Sequence, residues 1–339
     1  MQQIFKKIKR TILLIKYCSL SRTVNTIRLG LAYILSYFGV EKLKGLSPSF
    51  ISIETTNYCN LNCPECPVGQ REAGKLERLR FDIELYKKTI DELKPTLQHV
   101  ILYFQGEPLL NKQLPEFIQY AHNARIYTST STNGQLLYEN TAKEIVMSGL
   151  DKLIVSVDGS TQETYETYRV GGSLEKALDG IRHVVRWKNE LNSVTPLIEL
   201  QFLVLKTNEH QMGDMKRLAK SIKVDRLTFK TAQLYNYENG NKLLTTKNKY
   251  ARYKQMSSGK YRMKGNQPNR CWRLWNGAVV NAKGDVLPCC FDKESEFSFG
   301  NINEKSFSEN WHTKNASGFR GKILQNRKQF EICRNCTSR

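Results

Sequence analysis

Three cysteines stand close together in TTNYCNLNCPECPVG, residues 55–69, at positions 59, 63 and 66. The spacing is C-x3-C-x2-C, one thiolate short of a closed four-ligand metal site. A zinc site would want a fourth ligand nearby, and no histidine lies between residues 50 and 98. Soft thiolates alone suit an iron–sulfur cluster. A loop this tight can hold three irons of a cubane and leave the fourth open to a substrate or cofactor.

The elements around this loop read as a series of strand–helix units. FISIET (50–55) is strand-like and the cysteines follow it directly. A helix is predicted at 82–94, then strand 99–104, a helix near 113–123, strand 125–131, helix 138–148 and strand 152–157. Helical sequence around 174–190, strand 197–205, helix 209–221 and strand 226–230 complete the series. Strand and helix alternate six times, which is the pattern of a parallel sheet with right-handed crossovers. Six units are fewer than a closed barrel needs. The predicted class is therefore α/β, a partial (β/α)6 TIM-like barrel, with active-site loops after the carboxyl ends of its strands. Residues 236–268 are polar, basic and poor in core residues, and read as a linker. Residues 269–339 form a small cysteine-rich module, in which GAVVNAKGDVLP predicts a hairpin turning near Lys283-Gly284.

The chain has 339 residues and a net charge of +20. Residues 51–235 carry 23 basic and 23 acidic side chains, so the excess lies on the flanks. Residues 1–50 hold nine Lys or Arg against one acid, and 236–270 repeat that ratio. Such blocks favour anionic surfaces. Residues 4–16, IFKKIKRTILLIK, and 24–40 read as amphipathic helices that either lie on a membrane surface or pack on the main domain. No apolar run is long enough to span a bilayer, and no signal peptide is evident. Nine cysteines in a long, core-rich chain without an export signal indicate metal or redox chemistry in a reducing, cytoplasmic setting. Cys18 stands alone and reads as buried or idle. The predicted divisions are a basic helical segment (1–48), the barrel (49–235), the linker (236–268) and the module (269–339).

Four motifs occur in order: CNLNCPEC, GEPLL (106–110), STNG (131–134) and SVDGSTQETYETYRVGG (156–172). Together they resemble the radical S-adenosylmethionine (radical SAM) enzymes with a C-terminal SPASM or twitch module. The resemblance covers roughly residues 50–339 and implies the following. Cys59, Cys63 and Cys66 hold a [4Fe-4S] cluster whose open iron chelates S-adenosylmethionine. One electron then cleaves the latter to methionine and a 5′-deoxyadenosyl radical, which abstracts a substrate hydrogen. Gly106 and Glu107 receive the ammonium group. Ser131, Asn133, Ser156 and Asp158 contact ribose or carboxylate, and Arg169 pairs with the methionine carboxylate. Asn133-Gly134 and Asp158-Gly159 also read as plain turns. Two positions depart from the family pattern. Gln105 replaces the first of two glycines, and Glu65 replaces the aromatic or hydrophobic residue that packs near adenine.

Four C-terminal cysteines, Cys271, Cys289, Cys333 and Cys336, suffice for a fully ligated auxiliary [4Fe-4S] cluster. Cys290 is left over, or exchanges roles with Cys289. A structural zinc knot is the competing reading. A cluster with four thiolates has no open iron but can relay an electron. The leading expectation is a radical SAM oxidoreductase dehydrogenating a small or anionic substrate of sugar, aminocyclitol or lipid-linked type. A flavodoxin- or ferredoxin-type protein would be its reductant and the inner face of the membrane a peripheral contact. A maturase of ribosomally made peptides is the second reading, and a non-enzymatic electron carrier the third. Gln201, Lys230 and Tyr235 are candidates for a general base by position alone. No specific nucleic-acid partner is predicted.

Overall fold

A computed structural model describes residues 17–39, 45–70 and 77–337. The predicted segment 4–16 lies outside the described residues. The α/β class and the six-strand parallel series are as the sequence predicts. The strands are β1 (Phe50–Ile53), β2 (His99–Ile101), β3 (Tyr127–Thr132), β4 (Lys152–Ser156), β5 (Leu197–Val204), β6 (Arg226–Thr231), β7 (Tyr253–Gln255), β8 (Tyr261–Met263), β9 (Gly277–Val280) and β10 (Val286–Leu287). The principal helices are α1 (Leu20–Ser36), α2 (Ile83–Leu93), α3 (Leu114–Asn123), α4 (Glu139–Met147), α5 (Leu174–Glu190), α6 (Met212–Ser221) and α7 (Lys314–Asn326). The main sheet has eight strands in the order β10-β9-β1-β2-β3-β4-β5-β6. The chain divides into two compact units, and the division falls within β3.

The first unit comprises residues 1–57, 78–129 and 267–339. In it β1 pairs in parallel with β2 on one side and with β9 on the other. The second pairing was not legible in the sequence, where the hairpin read as part of a separate module. The hairpin itself is as expected: β9 and β10 are antiparallel, and Gly284 sits in the turn at φ +91°. Only glycine adopts that conformation without strain. Asn281 fixes the turn, its Oδ1 accepting from the N–H groups of Lys283 (3.0 Å) and Asp285 (2.9 Å). α2 starts where expected because the Asp82 carboxylate caps it, accepting from the Leu85 N–H at 2.7 Å. Cys18 is exposed, not buried.

The second unit comprises residues 58–77 and 130–266. β4, β5 and β6 run parallel, and the eight residues of β5 form its longest strand. α5 spans residues 174–190, as its periodicity predicts. Leu174, Ala177, Leu178, Ile181 and Val184 are its buried stripe, and Ser173 caps its start. Residues 236–268 are not a linker. They carry the β7–β8 hairpin, and Leu243 and Tyr253 are buried with Leu61, Cys63 and Leu234 in one apolar cluster. Tyr237, Leu244, Tyr261 and Met263 pack against the same cluster, which average composition cannot show.

Candidate active site

The cysteine loop belongs to the second unit, and backbone hydrogen bonds shape it. The Cys66 N–H donates to the Cys63 carbonyl (3.1 Å), the Gln70 N–H to the Cys66 carbonyl (3.0 Å), and the Asn62 N–H to the Val170 carbonyl (3.1 Å). Cys63 is buried, whereas Cys59 and Cys66 are half-buried. Gly69, in the turn Pro67–Gln70, comes back against Cys63. A Cβ there would lie 2.6 Å from the Cys63 nitrogen and 2.7 Å from its carbonyl oxygen. Backbone atoms cannot swing aside, so no larger residue fits without moving the loop. Gly69→Ala is therefore expected to cost the loop its iron while the chain stays folded. Iron per chain after anaerobic reconstitution measures this, and full iron with normal S-adenosylmethionine cleavage would show the loop to be malleable.

Donors lie near the sulfur atoms of Cys59 and Cys63. The Leu61 N–H points at Cys59 Sγ (3.4 Å), with Asn133 Nδ2 at 3.7 Å from the same atom. Asn133 also donates to Asn60 Oδ1 at 2.9 Å. Arg169 Nη1 lies 3.9 Å from Cys63 Sγ, while its Nε donates to Asp158 Oδ2 at 2.6 Å. Burial alone would pull the Arg169 guanidinium down, but Asp158 and Cys63 more than offset it and hold the charge. Burial pushes the Cys63 thiol up, and Arg169 opposes that. An electron-rich thiolate cluster needs such N–H groups and positive charge, so these residues fit a bound [4Fe-4S] group.

Of the predicted contacts, Asn133, Asp158 and Arg169 join the cysteines in this unit. Asp158 is committed to protein partners. Besides Arg169 it accepts from the Leu203 N–H (2.6 Å), and Asn208 holds its carbonyl (2.9 Å). It positions Arg169. Ser156 is the buried last residue of β4, paired in register with Gln201, and Ser131 is half-buried in β3. Gly106 and Glu107 follow β2 in the first unit. Glu107 is buried, and its carboxylate caps the turn Pro108–Leu110 by accepting from the Leu109 N–H at 3.2 Å.

The two departures from the family pattern have partners. Glu65 accepts from the Tyr235 N–H and from Asn241 Nδ2, both at 3.0 Å. It thus ties the cysteine loop to the segment that read as a linker. Gln105 donates to the Lys293 carbonyl at 2.9 Å. Neither long-range contact leaves a local signal in the sequence.

In the first unit, Cys271, Cys289, Cys333 and Cys336 line one small cavity of about 20 Å³, together with Arg273 and Arg327. Among the described residues no three His, Cys, Asp or Glu side chains converge on a single point. The thiolates of a cubane stand around a volume, each on its own iron, and these four line one small volume of that kind. Burial pushes the Cys333 thiol up to about 11, and Arg327 beside it pulls the other way. Gln267 Nε2 clamps the CRNC turn by donating to the carbonyls of Cys333 and Cys336, both at 2.8 Å. Cys290 is turned away. It lines a neighbouring cavity of about 100 Å³ and accepts from Arg273 Nη1 at 3.0 Å. Arg273, Arg327 and Gln267 were missed by the sequence reading, because nothing in their local sequence marks them.

Comparison with known proteins agrees with this geometry. The model of the radical SAM superfamily matches residues 53–195, and that of the SPASM iron–sulfur cluster-binding domain matches 271–337. A cofactor-modifying protein for tungsten-containing aldehyde ferredoxin oxidoreductase from Pyrococcus furiosus is 23% identical over 320 residues, covering 86% of this chain and 87% of its own. A PqqA peptide cyclase from Rhizobium meliloti is 25% identical over 314 residues, covering 86% and 80%. Among solved structures, BtrN in complex with AdoMet and 2-DOIA is similar with a TM-score of 0.51 and 21% identity, covering 86% of this chain and 94% of that one. Streptococcus suis SuiB bound to S-adenosylmethionine gives 0.60 and 15%, covering 85% and 72%. These structural likenesses carry the fold, a partial barrel. The two domain models imply S-adenosylmethionine and two [4Fe-4S] clusters as cofactors. The chain is a radical SAM enzyme with a C-terminal SPASM iron–sulfur domain.

Proposed function

We propose that this radical SAM enzyme carries out a net two-electron oxidation, a dehydrogenation, of a small or anionic substrate of sugar, aminocyclitol or lipid-linked type. The observation that carries this reading is the ring of four cysteines around one small cavity. Four thiolates leave no iron of a cubane open, so the site suits passage of an electron, not binding of substrate. When bound to its cluster, S-adenosylmethionine supplies the radical that takes a hydrogen from the substrate. In this reading Cys59, Cys63 and Cys66 hold that cluster. Asp158 would aim Arg169 at the methionine carboxylate. Cys271, Cys289, Cys333 and Cys336 hold the second cluster, with Arg273 and Arg327 offsetting its charge. A flavodoxin- or ferredoxin-type protein delivers the first electron, and the chain works against the inner face of a membrane.

A second reading, a peptide maturase, draws on the PqqA peptide cyclase similarity. Mass spectrometry of anaerobic reactions separates the two. Reduced enzyme and S-adenosylmethionine are given either the small anionic fraction or the peptide fraction of a cell extract. A small anionic compound that loses two hydrogens is the expected product. Modification confined to the peptide fraction would overturn the first reading in favour of the second.

A further inference from the structure

α1 is docked the opposite way round from an ordinary surface helix. Its protein-facing side is mainly polar or small: Arg22, Asn25, Ala32 and Ser36 are buried there, with Leu29 as the large apolar residue among them. Arg22 satisfies carbonyls at two helix C-termini, donating to Lys94 (2.9 Å) after α2 and to Ala124 (2.9 Å) after α3. Asn25 Nδ2 donates to the Ser47 carbonyl at 2.8 Å. Tyr33 meets Trp272 and Trp275 edge-on, each at 5.3 Å, beside Cys271. These contacts fix α1 to the first unit.

The opposite side is apolar and open. On the helix, Leu20, Val24, Ile27, Leu31 and Ile34 recur at spacings of four and three. At about 100° per residue they fall within one narrow arc. Leu20 is 82% exposed, Ile27 59%, Leu31 55% and Phe38 77%. Among the described residues, fourteen large apolar side chains are exposed, and eight of them lie between Leu20 and Phe38. A stripe this concentrated marks an interaction surface, whereas apolar side chains exposed singly are ordinary.

We propose that this stripe seats the enzyme on an anionic lipid bilayer, with α1 lying in the interface plane. The proposal rests on the reading of the chain as a peripheral enzyme and names the surface that makes the contact. Charge selects the partner. Residues 1–50 carry nine Lys or Arg against one acid, and exposed Arg28 borders the stripe. The preceding IFKKIKRTILLIK has five basic residues and no acid. Two copies meeting through α1 would bring these like charges together, whereas an anionic headgroup layer neutralises them. Because its other face is committed to the protein, α1 can lie on a bilayer but not cross it.

The test is co-sedimentation of the full-length, cluster-loaded enzyme with phosphatidylcholine vesicles, with or without phosphatidylglycerol, at low and physiological salt. Wild type is expected to pellet with the anionic vesicles and less so as salt screens charge beyond about 8 Å. The double variant Ile27→Glu/Leu31→Glu changes only exposed positions and is expected to bind roughly a hundredfold more weakly. Its thermal stability and S-adenosylmethionine cleavage are expected to match wild type. Equal pelleting of variant and wild type, or no pelleting of wild type on anionic vesicles at low salt, would overturn the proposal. A wild-type dimer that the variant converts to monomer would assign the stripe to a second copy instead. A loss of thermal stability in the variant would assign it to the chain's own residues. Cleavage assayed in the same samples reports separately on the enzymatic reading.

Discussion

Replacing Cys59, Cys63 and Cys66 together by alanine is expected to abolish S-adenosylmethionine cleavage and to lower the iron from about eight to about four atoms per chain. The backbone hydrogen bonds that shape their loop, among them Cys66 to Cys63 and Asn62 to Val170, involve no cysteine side chain, so the substitution removes ligands more than structure. The C-terminal cysteines belong to the other compact unit and are expected to keep their iron. Iron analysis and 5′-deoxyadenosine assay after anaerobic reconstitution read both outcomes. Cleavage retained by the triple variant would remove the proposed role of this loop.

The second large effect is expected at the other cysteine set. Cys333→Ala/Cys336→Ala removes two of the four thiolates around the small cavity. What remains cannot saturate a cubane, so the auxiliary iron should be lost. The cysteine loop needs neither residue, and 5′-deoxyadenosine should still form after dithionite reduction. Oxidised product should fall by more than the roughly 100-fold that loss of an outer hydrogen-bond partner costs. Removing the last four residues, which takes Cys336 alone among the cysteines, should act in the same direction. Full product from a soluble variant without the second cluster would exclude an electron-acceptor role. Joint loss of both activities with precipitation would mark the cluster as structural.

The parts of this molecule that read directly from sequence are those whose signals are local. C-x3-C-x2-C fixes three thiolates on one loop whatever surrounds it. The 3.6-residue periodicity of 174–190 and the cap at Asp82 likewise need no distant partner. What was not legible depends on contacts far apart in the chain. Glu65 meets Tyr235 and Asn241 only once the segment after β6 folds back, and that segment looks like a linker because its core contribution is a few residues such as Leu243 and Tyr253. The parallel pairing of β9 with β1 joins residues more than two hundred positions apart. Cys289 and Cys290 are indistinguishable in sequence, and only packing turns one toward the other cysteines and the second toward Arg273. The amphipathic character of 24–40 was readable. That its apolar side faces outward was not, because the direction is set by Arg22 reaching the carbonyl groups after α2 and α3.

Transfer of deuterium to 5′-deoxyadenosine tests the proposed chemistry most directly. Full-length reduced enzyme and S-adenosylmethionine are incubated in ordinary water with the small anionic fraction of cells grown in deuterated medium. The expected result is 5′-deoxyadenosine carrying deuterium, together with a compound from that fraction that has lost two hydrogens. 5′-Deoxyadenosine free of deuterium with the small anionic fraction, while the peptide fraction labels it, would contradict the proposed substrate class. Absence of label with every fraction would contradict hydrogen abstraction from substrate altogether.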